Sequence, residues 1–179
     1  MATCSSSPGV ARGEGEIVTA NGAALRYFLL PGTIFAHHEE HVVTTILGSC
    51  VAVCLLDPYT RIGGMNHFML PFWNGDGLPT PKYGNIALAR LVERMDELGG
   101  SSGRMVAKLF GGAKLISSGA GVYPVGERNV ILARKLLAEH GIPITAEDVG
   151  GESGRKVIFN TWSGEVLVGR MAGGGRSRP

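Results

Sequence analysis

The residue types best suited to chemistry in this chain lie in two short stretches, "ILGSCVAVCLLDP" from Ile46 to Pro58 and "GGMNHFMLP" from Gly63 to Pro71. The first places Cys50 behind a Gly48-Ser49 step. The second places His67 in apolar sequence seventeen residues later. A thiol becomes a nucleophile when a neighbouring imidazole or the N–H groups of a turn favour its thiolate, so Cys50 and His67 have the makings of a nucleophile and its base. Glycine at 48 permits a tight turn whose N–H groups are free to hold the oxyanion formed when a carbonyl is attacked. A third group should orient the imidazole. Thr44 and Thr45 offer hydroxyls just upstream, whereas Ser49 and Asn66 are immediate neighbours of the pair and less suited. The chemistry indicated is that of a Cys-His hydrolase or transferase. Burial is the competing explanation, because cysteine is among the most buried residue types and a single histidine is more often a satisfied core residue. The other histidines do not resolve this: His37, His38 and His41 fall in the polar stretch "AHHEEH", and His140 ends a helix before Gly141.

The elements that must position this pair read as mixed strand and helix. Residues 17–30 are β-prone and broken by Asn21-Gly22, which predicts a hairpin. "HVVTTILGSCVAVCLLD" predicts two strand pieces around Gly48-Ser49, followed after Asp57-Pro58 by a strand over "RIGGMNHFMLP". Cys50 and His67 are thereby expected on successive strands, each about eight residues from the turn centre. Apolar residues at Ile86, Leu88, Leu91, Val92, Met95 and Leu98 recur at helical spacing and stop at Gly99-Gly100, predicting an amphipathic helix. "MVAKLFGGA" predicts a strand, "SSGAGVYPVG" a loop, and "ERNVILARKLLAEHG" a second helix in which Glu127, Arg128 and Asn129 sit at the start, where capping is the ordinary role. "IPITAEDVG", "RKVIFNTW" and "EVLVGRM" predict three more strands with "WSGE" as a turn. The sum is an α/β or α+β fold with mixed sheets and at least two packed helices. Residues 1–15 and 172–179 are rich in Gly, Ser and Pro and read as loose tails around one domain over 16–171.

Composition limits the function classes. The chain has 179 residues, 44% apolar and 18% charged, with 28 glycines, which is globular composition with many turns. A net charge of +2 with scattered Lys and Arg argues against nucleic acid or an anionic membrane as partner. The start lacks the features of a signal peptide, and the run Thr45 to Leu56 is too short to cross a bilayer, so a cytoplasmic protein without membrane insertion is expected. Three cysteines, Cys4, Cys50 and Cys54, form no even disulfide framework. On one extended strand Cys50 and Cys54 would stand roughly 13 Å apart, beyond disulfide reach.

The series "TTILGSCVAVCLLDP", "GGMNHFMLP", "AKLFGGA", "GERNV" and "IPITAEDVGG", in that order from about Glu16 to Arg170, resembles the chemoreceptor glutamine deamidases called CheD. The resemblance implies that Cys50 is the nucleophile, His67 the general base and acid, and Thr44 the third member, with Thr45 as the neighbouring alternative. Gly48 and Ser49 then form the oxyanion turn. It further implies a layered sandwich of mixed sheets flanked by helices, similar to a toxin domain that deamidates glutamine in small GTPases. The implied activity is that of a protein-glutamine glutaminase, converting glutamines of methyl-accepting chemotaxis receptors to glutamate with no metal or cofactor. A CheC-type phosphatase is an implied second partner. Phe68, Phe72 and Trp73, at and just beyond the histidine element, are expected as a rim facing the receptor, against core packing as the ordinary role of Phe68 and Trp73.

Rival readings are weaker. A papain-type protease shares "GSC" but has an aromatic after the cysteine and a far more distant histidine. A metal site from His37, His38, His41 and Glu39 or Glu40 lacks the His-Glu-x-x-His order. Gly119 and Gly121 lack the third glycine of a dinucleotide loop. The non-enzymatic alternative is a chemotaxis adaptor that binds receptor or phosphatase.

Overall fold

A computed structural model describes residues 17–18, 24–114 and 124–171. The tails at 1–15 and 172–179, the Asn21-Gly22 turn and most of the "SSGAGVYPVG" loop lie outside the described residues. In chain order the elements are β1 (Ile17–Val18), β2 (Leu25–Phe28), β3 (Thr33–His37), β4 (His41–Leu47), β5 (Val51–Asp57), β6 (Ile62–His67), α1 (Gly84–Glu97), β7 (Val106–Gly111), α2 (Val125–Glu139), β8 (Ile144–Val149), β9 (Arg155–Asn160) and β10 (Val166–Arg170). A short 3-10 turn, Ser102–Arg104, precedes β7.

The strands form two five-stranded mixed sheets, ordered β1-β2-β4-β9-β10 and β3-β6-β5-β7-β8. In the first, only β2 and β4 run parallel; in the second, only β7 and β8 do. Both helices pack on the second sheet. The result is an α+β sandwich of helices, second sheet and first sheet, as expected from sequence. Alternation along β5 serves both interfaces. Val51, Val53 and Leu55 face the helix layer with Leu88, Leu91 and Met95, while Ala52 and Cys54 face the first sheet with Val43, Leu47, Met65 and Phe159.

The "GSC" step does more than interrupt a strand. β4 belongs to the first sheet and β5 to the second, so Gly48-Ser49-Cys50 is where the chain crosses between them. The β5–β6 turn that fixes the register is held by Asp57, which is fully buried. Its carboxylate accepts from the N–H groups of Tyr59, Thr60 and Ser101 and from Arg104 at 2.7 Å. Burial alone would raise this carboxyl, but the Arg104 guanidinium and the turn N–H groups hold it below the usual carboxylate range. With that turn set, Cys54 pairs with Met65 and Val51 with Phe68.

Three expectations need correction. Residues 33–37 form β3, paired with β6, a strand not expected from the sequence. A five-residue stretch ending in a histidine carries little alternation by which to recognise a strand. His41 is likewise buried at the start of β4, where its ring lies 5.0 Å from that of Phe35 and 4.6 Å from that of His37. Finally, α2 begins at Val125 with no side-chain cap, so Asn129 has another role.

Gly63 on β6 has no room for a side chain, because a Cβ there would overlap the carbonyl of Thr161. That close approach seats the end of β9 against the second sheet. Gly63→Ala is expected to cost about 1–3 kcal/mol of stability and to lower Tm by about 3–10 °C, which a thermal melt followed by circular dichroism would measure.

Candidate active site

His67 ends β6 with its ring turned into the layer between the sheets and is 1% exposed. There it meets β4. Positions Val43, Thr45 and Leu47 of β4 point into that layer, and the Thr45 hydroxyl lies 2.8 Å from His67 Nδ1. The same hydroxyl is 2.7 Å from the Leu29 carbonyl. A carbonyl can only accept, so the single Thr45 proton goes to Leu29, and the Thr45 oxygen must accept from His67 Nδ1–H. The ring is thereby fixed in the tautomer that carries its lone pair on Nε2. That nitrogen is buried and has no hydrogen-bond partner among the described residues.

Thr44, the expected third member, is not the residue that meets His67. Strand alternation turns it to the opposite face of β4, away from the inter-sheet layer, where it is half-buried. Asn66 does not serve the ring either. Its Oδ1 accepts the Val53 N–H at 2.9 Å, standing in for a ladder bond between β5 and β6 beside the site.

Cys50 stands immediately before β5, half-buried and packed against the inter-sheet core. Since Val51 pairs with Phe68, Cys50 is a diagonal neighbour of His67 on one face of the β5–β6 pair. In such pairs the backbones lie about 7–8 Å apart with the side chains nearer. Cys54 is on the same face but deep in the core, and both thiols are free. Burial raises the Cys50 thiol, and its own backbone N–H pulls it part of the way back. Burial likewise pushes His67 down to about 4, opposed by the Leu29 carbonyl. At neutral pH the resting pair is therefore thiol and neutral imidazole, not thiolate and imidazolium. The thiol depression expected from sequence is absent because the site is too dry to favour charge.

The crossing turn is tied down from behind. Ala113 N–H donates to the Gly48 carbonyl at 2.9 Å and Gly112 N–H to the Cys50 carbonyl at 2.8 Å. Asn129 Nδ2 donates to the Ser49 carbonyl at 3.1 Å. These bonds come from the "FGGA" turn and from α2. Gly111, at φ 107°, is needed because a Cβ would strike the Cys50 carbonyl. With the Gly48 and Ser49 carbonyls held, the N–H groups of Ser49 and Cys50, which point the opposite way in a trans peptide, donate to no other residue among those described.

Of the expected rim, Phe68 is corrected. It is 1% exposed and packs in the helix-side core, because Phe68 lies one position beyond His67 and so faces the other way. Phe72 is 60% exposed. Trp73 is half-buried, its indole N–H bonded to the Asp76 carbonyl within its own loop. Sequence reading missed the Leu29 carbonyl, which as a backbone acceptor has no sequence signal. The role of Asn129 did leave a trace, since it lies on the apolar face of α2 marked by Gly126, Val130, Ala133 and Leu137. No described helix is long and apolar enough to cross a membrane, and no cluster of metal-ligating side chains occurs among the described residues.

The family model described as CheD chemotactic sensory transduction matches residues 69–170. The chain is similar to proteins named probable chemoreceptor glutamine deamidase CheD from several bacteria. It is 53% identical to that of Trichlorobacter lovleyi over 151 residues, 84% of this chain and 94% of the relative. It is 48% identical to that of Sulfurimonas denitrificans, over 75% of this chain and 87% of the relative. The relative from Rhodospirillum rubrum is 47% identical, with 79% and 80% covered.

Two measurements check the electrostatics. Iodoacetamide is expected to label Cys50 and to spare Cys54 until the chain unfolds, at a rate that rises with pH beyond the ordinary thiol range; peptide mass spectrometry reads both. The second is acid stability. The unfolded His67 gains a proton near its ordinary value of 6.5 and the folded ring only near 4, so stability is lost as pH falls through that window and the loss is complete below it. His37, also lowered, contributes in the same direction. The melting temperature of His67→Gln should therefore fall less than that of the wild type between those two pH values.

Proposed function

Given that the chain belongs to the CheD family, we propose that it is a protein-glutamine deamidase, hydrolysing glutamine side chains of methyl-accepting chemotaxis receptors to glutamate and ammonia through a Cys50 thioester. One observation carries this reading: the Thr45 and Leu29 chain at Nδ1 leaves His67 Nε2 as a free base in the layer that also holds Cys50.

The geometry suits each step. His67 Nε2 takes the thiol proton as Cys50 Sγ attacks the carboxamide carbon, and the N–H groups of Ser49 and Cys50 stabilise the oxyanion. The imidazolium formed is stabilised through Nδ1–H by Thr45, which passes its own proton's bond to Leu29. His67 then protonates the departing amine, which leaves as ammonia. In the second half it takes a proton from water, the resulting hydroxide attacks the thioester, and the proton returns to Cys50 as glutamate leaves. A neutral resting pair fits this proton transfer, since the base is unprotonated from about pH 4 upward. Thr45, rather than Thr44, is the third member in this scheme. Phe72 belongs to the rim that meets the receptor, and a CheC-type phosphatase would compete for the same rim. The enzyme works in the cytoplasm, where the receptor's methyl-acceptor region lies.

The test is incubation with receptor cytoplasmic fragments, read by mass spectrometry as a gain of about one dalton per converted glutamine. Cys50→Ala should abolish conversion, and His67→Ala should lower it about 10²–10⁴-fold. Thr45→Ala should lower kcat about tenfold or more, with Thr45→Ser restoring it and Thr44→Ala near wild type. Wild-type protein that binds the fragments yet leaves every glutamine unchanged would establish a non-catalytic adaptor instead.

A further inference from the structure

Asn129 sits in the first half of α2, eighty residues from Ser49 in sequence, and is completely buried. Its Nδ2 donates to two carbonyls, Ser49 at 3.1 Å and Met69 at 3.0 Å. Both can only accept, so the orientation of the amide is determined by its partners. The remaining atom, Oδ1, is buried and has no partner among the described residues. An unpaired buried acceptor is costly, and the two bonds made by Nδ2 must offset it. The amide does not cap the helix, which has no side-chain cap.

The two carbonyls it joins are informative. Ser49 immediately precedes Cys50, and Met69 lies across from Cys50 by the register that pairs Val51 with Phe68. That bridge is the last backbone contact between the two segments; beyond it Asn129 takes over as the clamp, from a third element. Because a trans peptide is planar, the Ser49 carbonyl and the Cys50 N–H point in opposite directions. Holding the first from the α2 side fixes the second on the side of the thiol.

We propose that Asn129 is a positioning residue of the active site, whose amide, by holding the Ser49 carbonyl, aims the Cys50 N–H at the place where the oxyanion forms. The inference rests on the deamidase reading for its catalytic half, while the placement of the N–H beside the thiol is independent of substrate. The clamp to Met69 has a second effect, keeping the segment after His67 in register with the nucleophile turn. The unsatisfied Oδ1 of Asn129 then has an explanation: stability is given up for a fixed peptide plane.

The experiment compares Asn129→Ala, Asn129→Asp and Val130→Ala. Val130 is the adjacent buried residue of the same helix, touches Gly112 and has no bond to the turn. Each protein is melted, assayed for kcat and KM on receptor fragments, and alkylated with iodoacetamide across pH. Both Asn129 variants should lose about 100-fold in kcat with KM within about twofold. Their Cys50 alkylation profile should move to higher pH, because the N–H no longer rests at the thiol. Val130→Ala should lower Tm and change neither. Asn129→Asp keeps the volume and decides the matter if Asn129→Ala does not fold. Folded Asn129 variants with the wild-type alkylation profile, or a Val130→Ala protein with the same kinetic loss, overturn the proposal. If the wild type deamidates nothing, the deamidase reading fails, and the alkylation profiles alone still decide whether Asn129 places the N–H.

Discussion

A hydroxyl has one proton, and at Thr45 the Leu29 carbonyl takes it. From that constraint the state of His67 follows, since the Thr45 oxygen is left only as an acceptor and Nδ1 must donate to it. Nε2 is then the basic nitrogen, buried between the sheets and without a partner among the described residues. Three segments have to meet for this: the residue after β2, the inward face of β4 and the last residue of β6. The two sheets must therefore face one another at the correct separation and stagger. The inter-sheet core of Leu29, Val43, Leu47, Met65 and Phe159 holds that stagger, so the packing that stabilises the sandwich also sets the tautomer.

Cys50 depends on a different restraint. Cys50 lies where the chain leaves one sheet for the other, a place with no ladder of its own. Its turn is anchored by bonds from Gly112, Ala113 and Asn129, which belong to the end of β7 and to α2. Rigidity is supplied from elements distant in sequence, and the N–H groups of Ser49 and Cys50 are left facing outward. A loop held in this way is pre-organised: little reorganisation remains when charge develops on a bound carbonyl.

The arrangement has a cost in stability. Asn66 Nδ2, His67 Nε2 and Asn129 Oδ1 are buried without partners among the described residues, and all three surround the same site. Buried polar groups elsewhere in the fold, such as Asp57 and Arg155, are bonded several times over. Unsatisfied polarity concentrated at one place, where the other buried polar side chains among the described residues are bonded, marks where folding and chemistry make opposing demands.

How much of this was legible in the sequence follows from the range of each interaction. The placement of Cys50 and His67 near one another on successive strands was, because two strands joined by one turn are brought into register by counting from that turn. Both helices were, because their apolar spacing and terminal glycines are local features. β3 was not, being too short to show a period. Thr44 and Thr45 could not be told apart, since strand alternation puts adjacent residues on opposite faces and a one-residue shift exchanges them. Phe68 was misplaced for the same reason. The passage of Gly48-Ser49-Cys50 between sheets, the Leu29 acceptor and the Asn129 clamp were beyond reach, as each depends on backbone or side-chain groups brought together from distant segments. The sequence by itself determined which residues could react and which strands would carry them. The tertiary structure alone decided which hydroxyl meets the imidazole, which way the peptide before Cys50 faces, and that Cys50 and His67 rest uncharged, because tautomer, peptide orientation and desolvation are properties of contacts across the fold.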